Sequence, residues 1–143
     1  MASADDLDLL DGLFQLSFHL QGVLGKTAAR RGVSIVQARL LGILRDREPG
    51  VVELARHLGL GKSSMSELVD RAERRGLVER VPSADDRRAA RVRLTARGRT
   101  LTHAVEKEVR TAVDTLVSVL TKPDRGRLRD LAARVVAGIA RTP

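Results

Sequence analysis

The 143-residue chain predicts a mainly α-helical fold of about six helices with one two-stranded β-ribbon. Three observations carry this expectation. The core must come from Leu, Val, Ile and Ala, because Phe14 and Phe18 are the only aromatic residues; Leu and Ala favour helix. Apolar residues recur at helical spacing along most of the chain. Two short β-capable runs, residues 77–81 and 90–95, flank a Pro–Ser–Asp-rich connection that reads as a hairpin.

Residues 5–31 form the first helix, with Leu9, Leu13, Leu16, Leu20, Val23 and Leu24 in register. Phe14 and Phe18 lie one turn apart on a neighbouring face. This apolar surface is wide for one exposed helix, and a second subunit is one way to cover it. Arg30 and Arg31 suit the last turn and Gly32 the stop. Ser34 and Gln37 have capping-box spacing and open a second helix, with Ile35, Ala38, Leu41 and Leu44 facing inward. Pro49-Gly50 breaks the chain.

A third helix covers residues 51–58, and Gly59-Leu60-Gly61 is a turn. The fourth covers about 62–75, where Met65, Leu68, Val69 and Ala72 form an inward stripe. Ser63, Glu67, Asp70 and Arg74 fall on the opposite face, with Ser64, Ser66 and Arg71 at its edges. Gly76 stops the helix before the hairpin. Thr95 can cap a fifth helix reaching about residue 120, with Val105, Val109, Ala112, Val113, Leu116 and Leu120 in register. Thr121, Pro123 and Asp124 mark the start of a sixth, bearing Leu128, Leu131, Val135 and Ile139.

Helix, turn, helix and hairpin in succession are the layout of a winged helix-turn-helix, which reads DNA. The charge agrees. The net charge is +8, and residues 61–99 hold 11 Lys/Arg against 6 Asp/Glu. A basic block of this kind suits a polyanion. Lys62, Ser63, Ser64 and Ser66 begin the fourth helix, where short polar groups can reach base edges. For each serine, helix capping is an equal alternative, since Ser64 and Glu67 have capping-box spacing. Arg71 and Arg74 are better placed for phosphates.

Glu67 and Asp70 are anomalous on such a face. The preferred reading is two i, i+4 ion pairs, Glu67 with Arg71 and Asp70 with Arg74, that fix the arginines. The sharper one is a hydrogen bond from a cytosine amino group to Glu67. At the hairpin tip, Arg87 or Arg88 can enter a minor groove while Asp86 holds a guanidinium in place.

At LVDRAERRGLVER (68–80) and DRRAARVRLTARG (86–98), preceded by VVELARHLGLGKSSMS, the sequence resembles the MarR family of transcriptional regulators. The resemblance spans nearly the whole chain as one domain, 1–143. It implies a homodimer held by helices in 5–31 and 96–141, with the DNA-reading part at 34–95. It further implies a pseudo-palindromic operator, repression, and release by a small aromatic or anionic effector. By position, Ser63, Ser64, Ser66 and Glu67 face bases. Arg87 and Arg88 are the wing arginines, without distinction as to which inserts, and Asp86 is their partner. Two features depart from the family. Position 67 is acidic where many relatives have a basic or small residue, and the cysteine of the peroxide-sensing branch is absent.

Phe14, Phe18, His19 and Arg39 could line an effector pocket, although packing of both phenylalanines in the core or a dimer is the preferred alternative. His19, His57 and His103 are scattered; His103 and Glu106 have workable metal spacing, but no metal is expected. With no cysteine, disulfides and thiolate sites are excluded. No Gly-rich phosphate loop, His-Glu-x-x-His helix or nucleophile elbow appears, so neither enzymatic activity nor a cofactor is expected. No apolar run is long enough for a membrane. The acidic start (Asp5, Asp6, Asp8, Asp11) does not resemble a signal peptide, so a cytoplasmic protein is expected. The competing function is a dimeric small-molecule-binding or protein-interaction module whose winged helix does not bind specific DNA.

Overall fold

The computed structural model describes residues 7–83 and 90–142. Within them run α1 (Leu9–Ala29), α2 (Ile35–Ile43), α3 (Val51–Leu58), α4 (Lys62–Arg74), β1 (Val78–Pro82), β2 (Ala90–Leu94), α5 (Ala96–Leu116) and α6 (Lys122–Ile139). The strands pair antiparallel, with Val78 opposite Leu94 and Glu79 opposite Arg93. Six helices and a two-stranded ribbon match the expected fold. The chain divides into two compact units, Met1–Val109 and Arg110–Pro143, with the division inside α5.

In the first unit, the largest fully buried side chains are Leu40, Leu54, Met65, Val69, Val78 and Val92. They come from α2, α3, α4, β1 and β2, so each element of the winged helix contributes to one core. Local chemistry sets the boundaries. Asp8 caps α1, accepting from the Asp11 N–H at 2.8 Å. Ser34 caps α2, accepting from the Gln37 N–H at 3.1 Å. Only half of that capping box forms, because the Gln37 side chain accepts from Arg75 instead. Gly59, at φ +66°, ends α3 in the left-handed conformation and turns the chain into α4.

The junction of α4, the ribbon and α5 is the tightest part of the unit. The Thr95 hydroxyl donates to the Gly76 carbonyl at 2.6 Å and accepts from the Gly98 N–H at 3.0 Å. Gly98, in the first turn of α5, lies against the Leu77 carbonyl oxygen, where a Cβ would overlap it.

Farther along α5, Glu108 accepts from Arg30 at 2.9 Å and from Arg31 at 3.0 Å and 3.2 Å, tying the end of α1 to α5. The hydrogen bonds from Arg31 and then Arg30 hold its carboxyl at about 2, below the ordinary 4.5. A depressed folded-state value means that this contact contributes above about pH 4.5 and is lost as the pH falls toward 2. Glu108→Gln should therefore melt earlier than the wild type at pH 7. The difference should shrink as acid titrates the wild-type carboxylate, which parallel thermal melts from pH 7 to 3 would reveal.

In the second unit, a short 3-10 turn (Val117–Val119) follows α5, which ends at Leu116 rather than near residue 120 as expected. The last carbonyls tighten into i to i+3 bonds, as is common at a helix end. Thr121 caps α6, accepting from the Asp124 N–H at 3.3 Å, with Pro123 in the first turn. No residue of α6 is buried; Leu131, Val135 and Ile139 all face solvent in the single chain.

Candidate nucleic-acid interface

The inward stripe of α4, Met65, Leu68, Val69 and Ala72, is buried as expected. It packs against α3 and β1, which fixes the opposite face outward. Lys62, Ser63, Ser64, Glu67, Arg71 and Arg74 are exposed, and Ser66 is half-buried at the edge. Lys62, Arg71 and Arg74 have no ion-pair partner among the described residues, so their charge is available to an external anion. The helix-capping alternative for Ser64 does not hold: Gly61 is the N-cap, with no side-chain cap bond. The first N–H groups of α4 are therefore open at its tip, a position suited to a phosphate.

The preferred ion pairs are also absent. Asp70 is bound at 2.8 Å by Arg80 of β1, not by Arg74, and Arg80 also holds Glu73 at 2.9 Å. The reason lies in the strand register. Arg80 shares a ribbon face with the buried Val78, so its guanidinium is held beside α4 and can fork between two carboxylates. An exposed arginine four residues along the same helix gains less by fixing its long side chain. Glu67 forms no ion pair with Arg71. Arg75 points away, donating to the Gly32 carbonyl at 2.6 Å and to the Gln37 Oε1 at 3.2 Å.

Asp86, Arg87 and Arg88 lie outside the described residues. The ribbon leading to them is braced at its base. Arg93 pairs across the strands with Glu79 at 2.7 Å, Arg91 pairs with Glu48 at 3.3 Å, and the Val92 N–H donates to the Pro49 carbonyl at 2.9 Å.

Between α1, α2 and α5 of the first unit lies a cavity of about 210 Å³. Leu24, Val33, Leu41, Val105 and Val109 make it largely apolar, and Arg39, Arg45 and Glu106 add charge. Arg45 pairs with Glu106 at 3.2 Å. Of the four suggested pocket residues, only Arg39 lines this space. Phe14 and Phe18 stack at 5.9 Å and are 54% and 66% exposed, so core packing of these rings is ruled out. His19 is exposed on the same helix. Among the described residues, no three His, Asp or Glu side chains gather as a metal site would require, and no helix is long and apolar enough to cross a membrane.

A family model described as MarR family matches residues 31–89, the part that contains α2 to α4 and β1. The HTH-type transcriptional repressor Rv2887 of Mycobacterium tuberculosis is 28% identical over 137 residues, covering 94% of this chain and 98% of the repressor. The crystal structure of M. tuberculosis MarR family protein Rv2887 with salicylic acid superposes with a TM-score of 0.71 at 26% identity, covering 93% of this chain and 99% of that one.

The winged-helix part of the chain is similar to the MarR family.

The fold is shared further: the S. aureus MepR–DNA complex superposes at a TM-score of 0.74 with 19% identity, covering 93% of this chain and 99% of MepR. Two side chains of this region were not among the residues expected from the sequence. Arg80 joins the ribbon to α4, and Arg45 lines the cavity. A signal for Arg80 existed in the period-2 alternation of β1, which sets an arginine on the inward face after Val78 and so demands acidic partners. For Arg45, just past the end of α2, no sequence pattern points to a cavity.

Proposed function

We propose that this protein is a transcriptional regulator of the MarR family, a repressor that binds a pseudo-palindromic operator as a homodimer and is released by a small aromatic or anionic molecule. The observation that carries this reading is the sidedness of α4. Its apolar stripe is buried, and its outer face presents Lys62, Ser63, Ser64, Ser66, Arg71 and Arg74. Side chains of this kind at the start of a helix fit base edges in a major groove, and the two arginines fit the flanking phosphates. The wing residues Arg87 and Arg88, with Asp86, are assigned to the minor groove. In a dimer the two copies of α4 would enter successive major grooves about 34–36 Å apart.

The exposed apolar faces of α1 and α6 support self-association, since patches of this kind normally meet a partner. Phe14 and Phe18 are assigned to that contact. The cavity beside Arg39 supports effector binding: an apolar hole with guanidinium groups at its edge suits an aromatic carboxylate. Rv2887 with salicylic acid is a relative in which such a ligand is bound. The effector would act by favouring another separation of the reading helices, with a coupling on the order of 1–3 kcal/mol.

Gel-shift titration against the protein's own upstream region tests the regulator. Saturable retardation that resists competitor DNA is expected. Weak binding to all DNA, abolished by salt, would overturn it and leave the small-molecule or interaction module. Arg87→Ala combined with Arg88→Ala should weaken retardation without changing the melting temperature; unchanged affinity would refute the wing assignment.

A further inference from the structure

We propose that Glu67 selects a C·G pair in each half-site of the operator by accepting a hydrogen bond from the cytosine amino group. The inference rests on the DNA-binding reading above and adds to it a base identity.

Three acids lie on α4, and two are engaged by one arginine. Asp70 and Glu73 share the Arg80 guanidinium at 2.8 Å and 2.9 Å. Glu67 is exposed and has no ion-pair partner among the described residues. It stands in the second turn, on the outer face with Ser63, Ser66 and Asp70 at i−4, i−1 and i+3. A surface that approaches phosphates repels an unmatched carboxylate. A donor in the groove removes that conflict.

The chemistry of the groove then narrows the donor. An ionised carboxylate can only accept. In the major groove the base donors are the cytosine and adenine amino groups. Adenine sets its N7 acceptor beside the amino group, where it would oppose a carboxylate oxygen; that pattern suits an amide side chain. Cytosine presents no acceptor of its own there. Glu67 therefore fits cytosine, and the same backbone position carrying Gln would fit adenine.

Selection of duplexes from a randomised library by the full-length wild type, Glu67→Gln and Glu67→Ala, at one salt concentration, tests this directly. The wild type is expected to select symmetric C·G positions, with replacement of that pair lowering affinity about tenfold per half-site. Glu67→Gln should move the preference at those positions to A·T, and Glu67→Ala should abolish it there alone. Unchanged consensus in both variants, with affinity raised evenly across sequences, would overturn the proposal and mark Glu67 as a repelling surface charge. A wild type that selects a consensus lacking symmetric C·G pairs would also overturn it. A wild type that selects no sequence at all would remove the DNA-binding reading beneath it.

Discussion

Replacing Gly98 with alanine should lower the stability of the chain by about 3 kcal/mol, the upper part of the range for forcing atoms into a packed site. The added Cβ would overlap the Leu77 carbonyl oxygen, which is backbone and already accepts from the Thr95 N–H at 3.1 Å. Neither side can yield cheaply. Leu77 is fixed by its own N–H bond to the Ala72 carbonyl at 3.0 Å, and Gly98 by its N–H bond to the Thr95 hydroxyl at 3.0 Å. A loss of that size corresponds to about 10 °C in melting temperature for a chain of this length. Gly138→Ala is the control: a Cβ there meets nothing within 4 Å, and alanine is the better helix former by about 0.5–1 kcal/mol. Thermal melts of the two variants should move in opposite directions. A Gly98→Ala protein that melts with the wild type would mean that the junction of α4, the ribbon and α5 is looser than described.

The second large effect is on binding. Arg71→Ala with Arg74→Ala should weaken binding to every duplex alike, without shifting the preferred sequence, because phosphate contacts carry no base information. Both arginines are exposed and unpaired among the described residues, so their removal leaves no buried charge behind and the fold should be unaffected. A dimer loses four such contacts. The slope of log affinity against log salt should become shallower by roughly 0.9 per contact, which amounts to about a hundred- to a thousandfold at physiological salt. Fluorescence anisotropy at several salt concentrations measures both quantities. An unchanged slope would take these residues out of the phosphate contact.

The local features were readable from the residues themselves. The caps at Ser34, Thr95 and Thr121 act within three residues, and each forms its predicted bond. The turn at Gly59 and the inward stripe of α4 follow from glycine's conformational freedom and from a 3.6-residue period. Side-chain partnerships were less readable because they join distant residues. Asp70 found Arg80 across a strand rather than Arg74 along its own helix, and Gln37 found Arg75 rather than its own N-cap. Glu108 with Arg30 and Arg31 joins residues almost eighty positions apart, which no helical spacing encodes. The cavity has the same origin: Arg39 and Val105 line one space only because α2 and α5 meet there. The outward residues of α4 could be named from periodicity. Which of them stay unpaired, Glu67 above all, depends on where the ribbon places Arg80.

A footprint on the protein's own upstream DNA tests the central claim most directly, since it reads specificity and dimer geometry together. Two protected half-sites related by approximate two-fold symmetry, with centres about 10 base pairs apart on one face of the duplex, are predicted. Even protection along the fragment, or none at concentrations that saturate the dimer, would contradict it.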